Sequence, residues 1–291
     1  MRLNKFLAAV VVGITALTVV PSVVSAQSNI LASQATRIID VTAGQRMLSQ
    51  RVVKAICLSS AQVNFAGNFQ ELREAHDEFK VMHYGLINGS AELSIPKITS
   101  ADVLARLQQV GSVVADFAPI VDRMTQTGDI DQIELVSLND QSSFLTGALN
   151  ETILELGTAY VDSLSSQNLG VTLTLDIAAR QAMLSQQLVK EMCMMHILGN
   201  QAGNIRATMD LFDASLNALI DGFPAAGVIP PPTEEIHSKL VEVKNIWATL
   251  KPIAEKSAGG NIPDRDSLYM FSLAMEAVLR TTSEATDLYT R

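Results

Sequence analysis

The stretch from Asp40 to Cys57 returns, diverged, as Asp176 to Cys193. At a constant offset of 136 residues, ten of these 18 positions are identical: Asp40, Ala43, Gln45, Met47, Leu48, Ser49, Gln50, Val53, Lys54 and Cys57. Two unrelated segments of that length would share about one. A chain with such a repeat is built from two copies of one module. The predicted boundaries are 27–163 for the first copy and 164–291 for the second, after an N-terminal segment of different character.

That segment, Met1 to Ala26, has the pattern of an export signal. Arg2 and Lys5 make a basic start, Phe6 to Val19 an apolar core, and Val24-Ser25-Ala26 a small-residue cleavage site. The mature chain is expected to begin at Gln27 and to be periplasmic. An uncleaved anchor is the competing reading, weakened by Gly13, Thr15, Thr18 and Pro21 within the run. No later stretch is apolar for long enough to cross a bilayer, so no membrane span is expected in the mature chain. Loss of Arg2 and Lys5 takes the formal charge from -9 to -11, which argues against nucleic acid and anionic lipid as partners.

Few aromatic residues and apolar residues at three-and-four spacing predict helices almost throughout. Helices are expected over Ile30–Gln62, Phe69–Ile87, Asp102 to near Gly128 with Thr99 or Ser100 as cap, and from Asp131 through Leu156. The second half repeats this plan. Phe79, Leu86 and Gly89 correspond to Phe212, Leu219 and Gly222 at an offset of 133, and Pro119 inside the third helix to Pro252. Pro230-Pro231-Pro232 precedes Thr233 as a cap, and Gly259-Gly260-Asn261 ends that helix. The fold class is therefore all-α, two tandem antiparallel four-helix bundles.

Alignment of the last helices at an offset of 130 and the first at 136 leaves only Asp162, Ser163 and Leu164 between the copies. With no proline there, a shared helix from Val136 to His196 is expected, kinked near Asn168 to Gly170, stacking the bundles end to end as a rod. In that geometry Arg46 and Arg180 lie far apart, and Cys57 and Cys193 are expected as free, buried thiols; the alternative, a disulfide formed in an oxidising compartment, requires the two copies to meet face to face.

On a helix, Arg46, Ser49, Gln50, Val53 and Cys57 share one face of the repeated segment, and Leu48, Val52 and Ile56 another. Neither Arg46 nor Arg51 has an acidic residue three or four positions away. With Lys54 they concentrate positive charge in an acidic chain. Either they form a solvated surface face or pair with acids such as Asp116, Asp122 or Glu151, or they meet an anion.

Gln45-Arg46-Met47-Leu48-Ser49-Gln50-Arg51, preceded by small residues and followed by Lys54, resembles the signature of the PilJ-type domain. That domain is the periplasmic N-terminal module of type IV pili methyl-accepting chemotaxis transducers, related to the sensor module of nitrate/nitrite sensor kinases. The resemblance implies a four-helix bundle in which the arginine before the methionine, here Arg46, reaches a small anion such as nitrate at a two-fold interface. The ligand-binding candidates are Arg46, Ser49, Gln50, Arg51 and Lys54. The match departs mildly in the first copy, where Thr42-Ala43 stand in place of the Ala-Gly of the family pattern and Gly44 takes the intervening position before Gln45. It departs further in the second, where Ala182 and Gln187 replace the two arginines and the signature is degenerate.

Other chemistries find little support. His76 and His83 are expected at the surface or its boundary, and His196 and His237 stand alone. Asp129-Ile130-Asp131 lacks the rest of a calcium loop, and Met192, Met194 and Met195 are expected in the core. No catalytic residue, metal ligand or cofactor is expected, and the chain is not expected to be an enzyme. The expected function is sensory, binding a nitrate-like anion without a signalling domain of its own, alone, as a homodimer or presented to a receptor. The alternative is an interaction protein that docks on a chemotaxis or type IV pilus receptor.

Overall fold

The computed structural model describes residues 22–129, 131–160, 166–199 and 202–289. The first 21 residues of the expected signal segment, and Asp162, Ser163 and Leu164, lie outside them. Eight helices account for most of the described chain: α1 (Ser22–Ser60), α2 (Phe65–Asn88), α3 (Ala101–Thr127), α4 (Gln132–Tyr160), α5 (Ser166–Leu198), α6 (Ala202–Asp221), α7 (Glu234–Ala258) and α8 (Arg265–Tyr289). The all-α class is as the sequence predicts, with the first four helices forming one bundle and the last four the other.

Local chemistry sets the helix ends. The Ser100 hydroxyl accepts from the Val103 amide and Thr233 from that of Ile236, each capping a first turn that carries an acidic residue. Gly89 and Gly222 close α2 and α6 at φ of 80° and 76°, a region where a side chain would be strained. After each glycine the chain makes the same tight loop, bridged between Ser90 and Ile95 and between Phe223 and Val228. Those bridges are the only extended pairing among the described residues, and they too are related by the offset of 133.

The arrangement of the two bundles differs from the rod expected from sequence. Helices α1 and α5 lie against each other along their length, parallel and in register: the Thr36 and Thr172 hydroxyls are 3.2 Å apart, and Cys57 and Cys193 form a disulfide. Both pairs are 136 residues apart and span about 31 Å of helix. Helix α4 runs the other way along α1, since Gln50 reaches Ser142 and Thr146 whereas Arg46, a turn earlier, reaches Asn150, further on. Consequently α4 and α5 are antiparallel, and no continuous helix runs from Val136 to His196.

The physical reason is the apolar content of the repeated helix. In α1, Leu48, Val52 and Ile56 are fully buried on one face, and Val53 and Cys57 on the face turned to α5. A four-helix bundle covers only one stripe of each member. A helix buried on both faces needs a further neighbour, and the other copy's equivalent helix supplies it. One apolar core therefore runs through both copies, joining Leu48, Val52, Phe79 and Leu145 to Leu184, Leu188, Phe212 and Trp247. Met192, Met194 and Met195 belong to it, as the sequence suggests.

Candidate functional site

The repeated segment sits at the centre of the molecule. Arg46 is 1% exposed and Lys54 1%, and Ser49 and Gln50 are equally buried, so the segment is no solvated face. Burial of two cations costs several kcal/mol each unless carboxylates and hydrogen bonds compensate, and both are compensated.

Arg46 lies opposite Ala182 in the parallel register of α1 and α5. A helical side chain slants toward the helix N-terminus, which carries the Arg46 guanidinium back along α5 to Asp176, six residues before Ala182. There Nη2 donates to the Asp176 carboxylate, and Nη1 donates to the Asn150 side chain at 2.7 Å. The other Asp176 oxygen is 3.6 Å from Arg180. Burial pushes the Arg46 guanidinium below its ordinary value, Asp176 opposes this, and the nearby Arg180 adds to it. The Nε atoms of Arg46 and Arg180 find no protein acceptor among the described residues.

Two turns along, Arg51 and Lys54 form a second cluster on another side of α1. The Lys54 ammonium lies 2.6 Å from Glu71 on α2 and 2.5 Å from Glu276 on α8. Arg51 donates to the same carboxylates at 2.7 and 3.2 Å. Desolvation alone would raise the Glu276 carboxyl, but Lys54 and Arg51 outweigh it and hold it below its usual range. They are answered in kind: against its own desolvation, Arg51 is raised by Glu71 and Glu276.

The five residues singled out by sequence therefore do not converge on one cavity. Arg46 faces α4 and α5, and Arg51 and Lys54 face α2 and α8. Gln50 donates to the Ser142 carbonyl and the Thr146 hydroxyl of α4, and the Ser49 hydroxyl caps the Arg46 carbonyl of its own helix. Asp116, Asp122 and Glu151, the partners weighed from sequence, are occupied elsewhere or distant: Asp122 pairs with His76 and Lys80, and Glu151 with Arg106. His76 is buried rather than at the surface, its Nε2 2.9 Å from Asp122. The carboxylates that do the pairing, Asp176, Glu71 and Glu276, lie 130, 20 and 225 residues from their cations. Local spacing carries no trace of them.

The second copy has lost this chemistry unevenly. Ala182 stands where Arg46 is, and the Arg46 partner Asp176 is itself the counterpart of Asp40, which pairs with Arg37 on its own helix. Around Lys190, the counterpart of Lys54, the positions corresponding to Glu276 and Glu71 hold the uncharged Thr146 and Asn204. It is buried with the Ser142 hydroxyl at 3.2 Å, and desolvation pushes its ammonium down to about 8.

Among the described residues no three His, Cys, Asp or Glu side chains are placed to hold a metal, and no helix is long and apolar enough to cross a membrane. A search of curated proteins finds no match. The family model for the type IV pili methyl-accepting chemotaxis transducer N-terminal domain matches twice, over residues 31–134 and 163–267. Those two segments each hold one copy of the repeated helix and together cover well over half of the chain. Their equivalent helices pair parallel and in register. The chain belongs to the PilJ family, a family of sensory domains, and carries two tandem copies of its domain.

Proposed function

We infer that this chain is an exported sensory-type module, without enzymatic activity, in which the arginine of the anion position carries a carboxylate of the chain itself. The observation behind this reading is the buried bond between Arg46 and Asp176. An aspartate carboxylate is a planar monoanion with two oxygens, chemically close to nitrite or nitrate at the atoms a guanidinium touches. Held covalently on α5, it is present at a high effective concentration. The module is then permanently in its occupied state, and its role is to present a fixed surface to a receptor or pilus component. Export through cleavage after Ala26 is part of the same reading, and N-terminal sequencing of the mature protein tests it.

A second reading is favoured by one observation. Among the described residues the Nε atoms of Arg46 and Arg180 meet no protein acceptor, and Asp176 lies between the two guanidinium groups. A nitrate-like anion entering here would displace Asp176 from Arg46 toward Arg180 and make the chain a sensor. Thermal unfolding with sodium nitrate, nitrite and acetate at about 10 mM, against equal sodium chloride, separates the two through mass-action stabilisation. Self-occupation predicts no shift for the wild type and a shift for Asp176→Asn. A shift in the wild type supports the sensor, and no shift in either protein removes the anion position from both accounts.

A further inference from the structure

A broad cavity lies away from the paired helices, on the outer side of the first bundle. It is an open groove of about 800 Å³ between α3 and α4, floored by Val113, Gly147 and Ala148 and walled by Phe144. A smaller hollow lined by Asp116, Asp140 and Phe144 adjoins it.

The apolar face of α4 that holds the bundle together is already buried: Leu135, Leu138, Leu145, Leu149 and Leu156 are fully covered. On the opposite side Ile133 is 81% exposed, Phe144 76% and Leu154 73%. These three positions, with Asp140, Gly147 and Glu151, fall within about 80° of one another around the helix. They form one outward stripe of alternating apolar and acidic character, about 31 Å long. Large apolar side chains that contribute nothing to their own core, set in a row, mark a contact surface.

The charge around the stripe indicates what it contacts. Arg106 is 2.7 Å from Glu151, while among the described residues neither Asp116 nor Asp140 forms an ion pair. In the second bundle, α8 carries Met270, Ala274 and Thr281 at the positions of Asp140, Phe144 and Glu151, so both the acidic and the aromatic character belong to the first bundle alone. A second copy of the chain is a poor occupant, because its net charge of -9 would be brought against an acidic rim.

We propose that the α3–α4 groove of the first bundle is the docking site for an amphipathic cationic helix of a partner protein, its apolar side chains meeting Ile133, Phe144 and Leu154 and its lysines or arginines meeting Asp116 and Asp140. This is a helix-in-groove interaction in which apolar anchors recur at helical spacing. It does not depend on whether Arg46 takes an anion.

Gly147 provides the means of testing it, since a Cβ added there meets nothing within 4 Å. Gly147→Trp fills the groove without disturbing the fold, and Gly147→Ala leaves it open. The probes are two fluorescent helical peptides of about 22 residues with leucines at i, i+4, i+7 and i+11. One carries lysines at the remaining positions and the other glutamates. Anisotropy should show the Leu/Lys peptide binding the wild type and Gly147→Ala, at least about tenfold weaker binding to Gly147→Trp and to Asp116→Asn with Asp140→Asn, and none of the Leu/Glu peptide. Absence of Leu/Lys binding at about 100 μM, or equal affinity in Gly147→Trp, overturns the proposal. So does binding of both peptides alike. Sedimentation of the chain alone checks the remaining occupant, and a dimer that Gly147→Trp abolishes would assign the groove to a second copy instead.

Discussion

Cys57 and Cys193 are joined across 136 residues by a disulfide whose Cα atoms lie 6.1 Å apart, at identical positions of the two repeated helices. The bond clamps the C-terminal ends of two parallel helices whose packing already unites the core.

Removing the clamp should therefore weaken the protein without dissolving its fold. For a loop of this length, Cys57→Ala with Cys193→Ala is expected to lower the free energy of unfolding by about 3–5 kcal/mol, with the far-ultraviolet dichroism of the native state unchanged. Urea titration measures the loss. Mass spectrometry after alkylation of the unfolded, unreduced protein should find neither cysteine modified, and two modified thiols would refute the pairing.

Arg46 and Asp176 form one buried unit, and losing either partner strands the other. Arg46→Met is expected to cost about 3–5 kcal/mol, a cost that would be negligible for an exposed arginine. The double variant Arg46→Met with Asp176→Ala should lose clearly less than the sum of the two single losses. Additive losses in urea titration would show that the two groups do not depend on each other.

Lys190 should make stability rise with alkalinity. Its folded value, about 8, lies below the ordinary 10.5 because burial disfavours the ammonium, with Glu191 and Asp140 opposing. Between these values the unfolded chain binds more protons, so stability increases with pH across that window, and below it the penalty is present in full. Lys190→Met is expected to stabilise the protein by about 2–3 kcal/mol at neutral pH, with the difference from wild type vanishing near pH 10.5. Measuring both proteins by urea titration at several pH values tests this, and a difference that stays constant would rule it out.

Glu276 should contribute in the opposite window. Burial alone would raise its carboxyl, but Lys54 and Arg51 hold it below the usual carboxylate range. Its stabilising contribution is thus full above the unfolded value and disappears as pH falls through the lowered folded value. Glu276→Gln is expected to cost about 2–4 kcal/mol at pH 7 and nearly nothing once the wild-type carboxylate has been protonated. A loss that persists undiminished in acid would mean that Glu276 acts through packing rather than charge.

The helices and their caps were legible in the amino-acid order because they depend on neighbours within a few residues, and the two copies because the segment repeats at a constant offset of 136. Ser100 and Thr233 begin their helices through amides three positions on, and Gly89 and Gly222 end theirs through their own backbone freedom. Spacing also left Arg46 and Arg51 without an acidic neighbour on their own helix, and the carboxylates they meet lie 130 and at least 20 residues away. How the copies meet and what those cations touch emerged from packing in three dimensions. The short connection after Tyr160 suits a continuous helix by local propensity, yet a straight rod would leave Val53, Cys57 and their counterparts in water. Burial of that second face favours the side-by-side arrangement, and periodicity cannot reveal it when a helix is covered all round. The same packing delivers Asp176 and Glu276 to Arg46 and Lys54 from helices far away in sequence, since Coulomb attraction in a buried interface acts on distance in space alone.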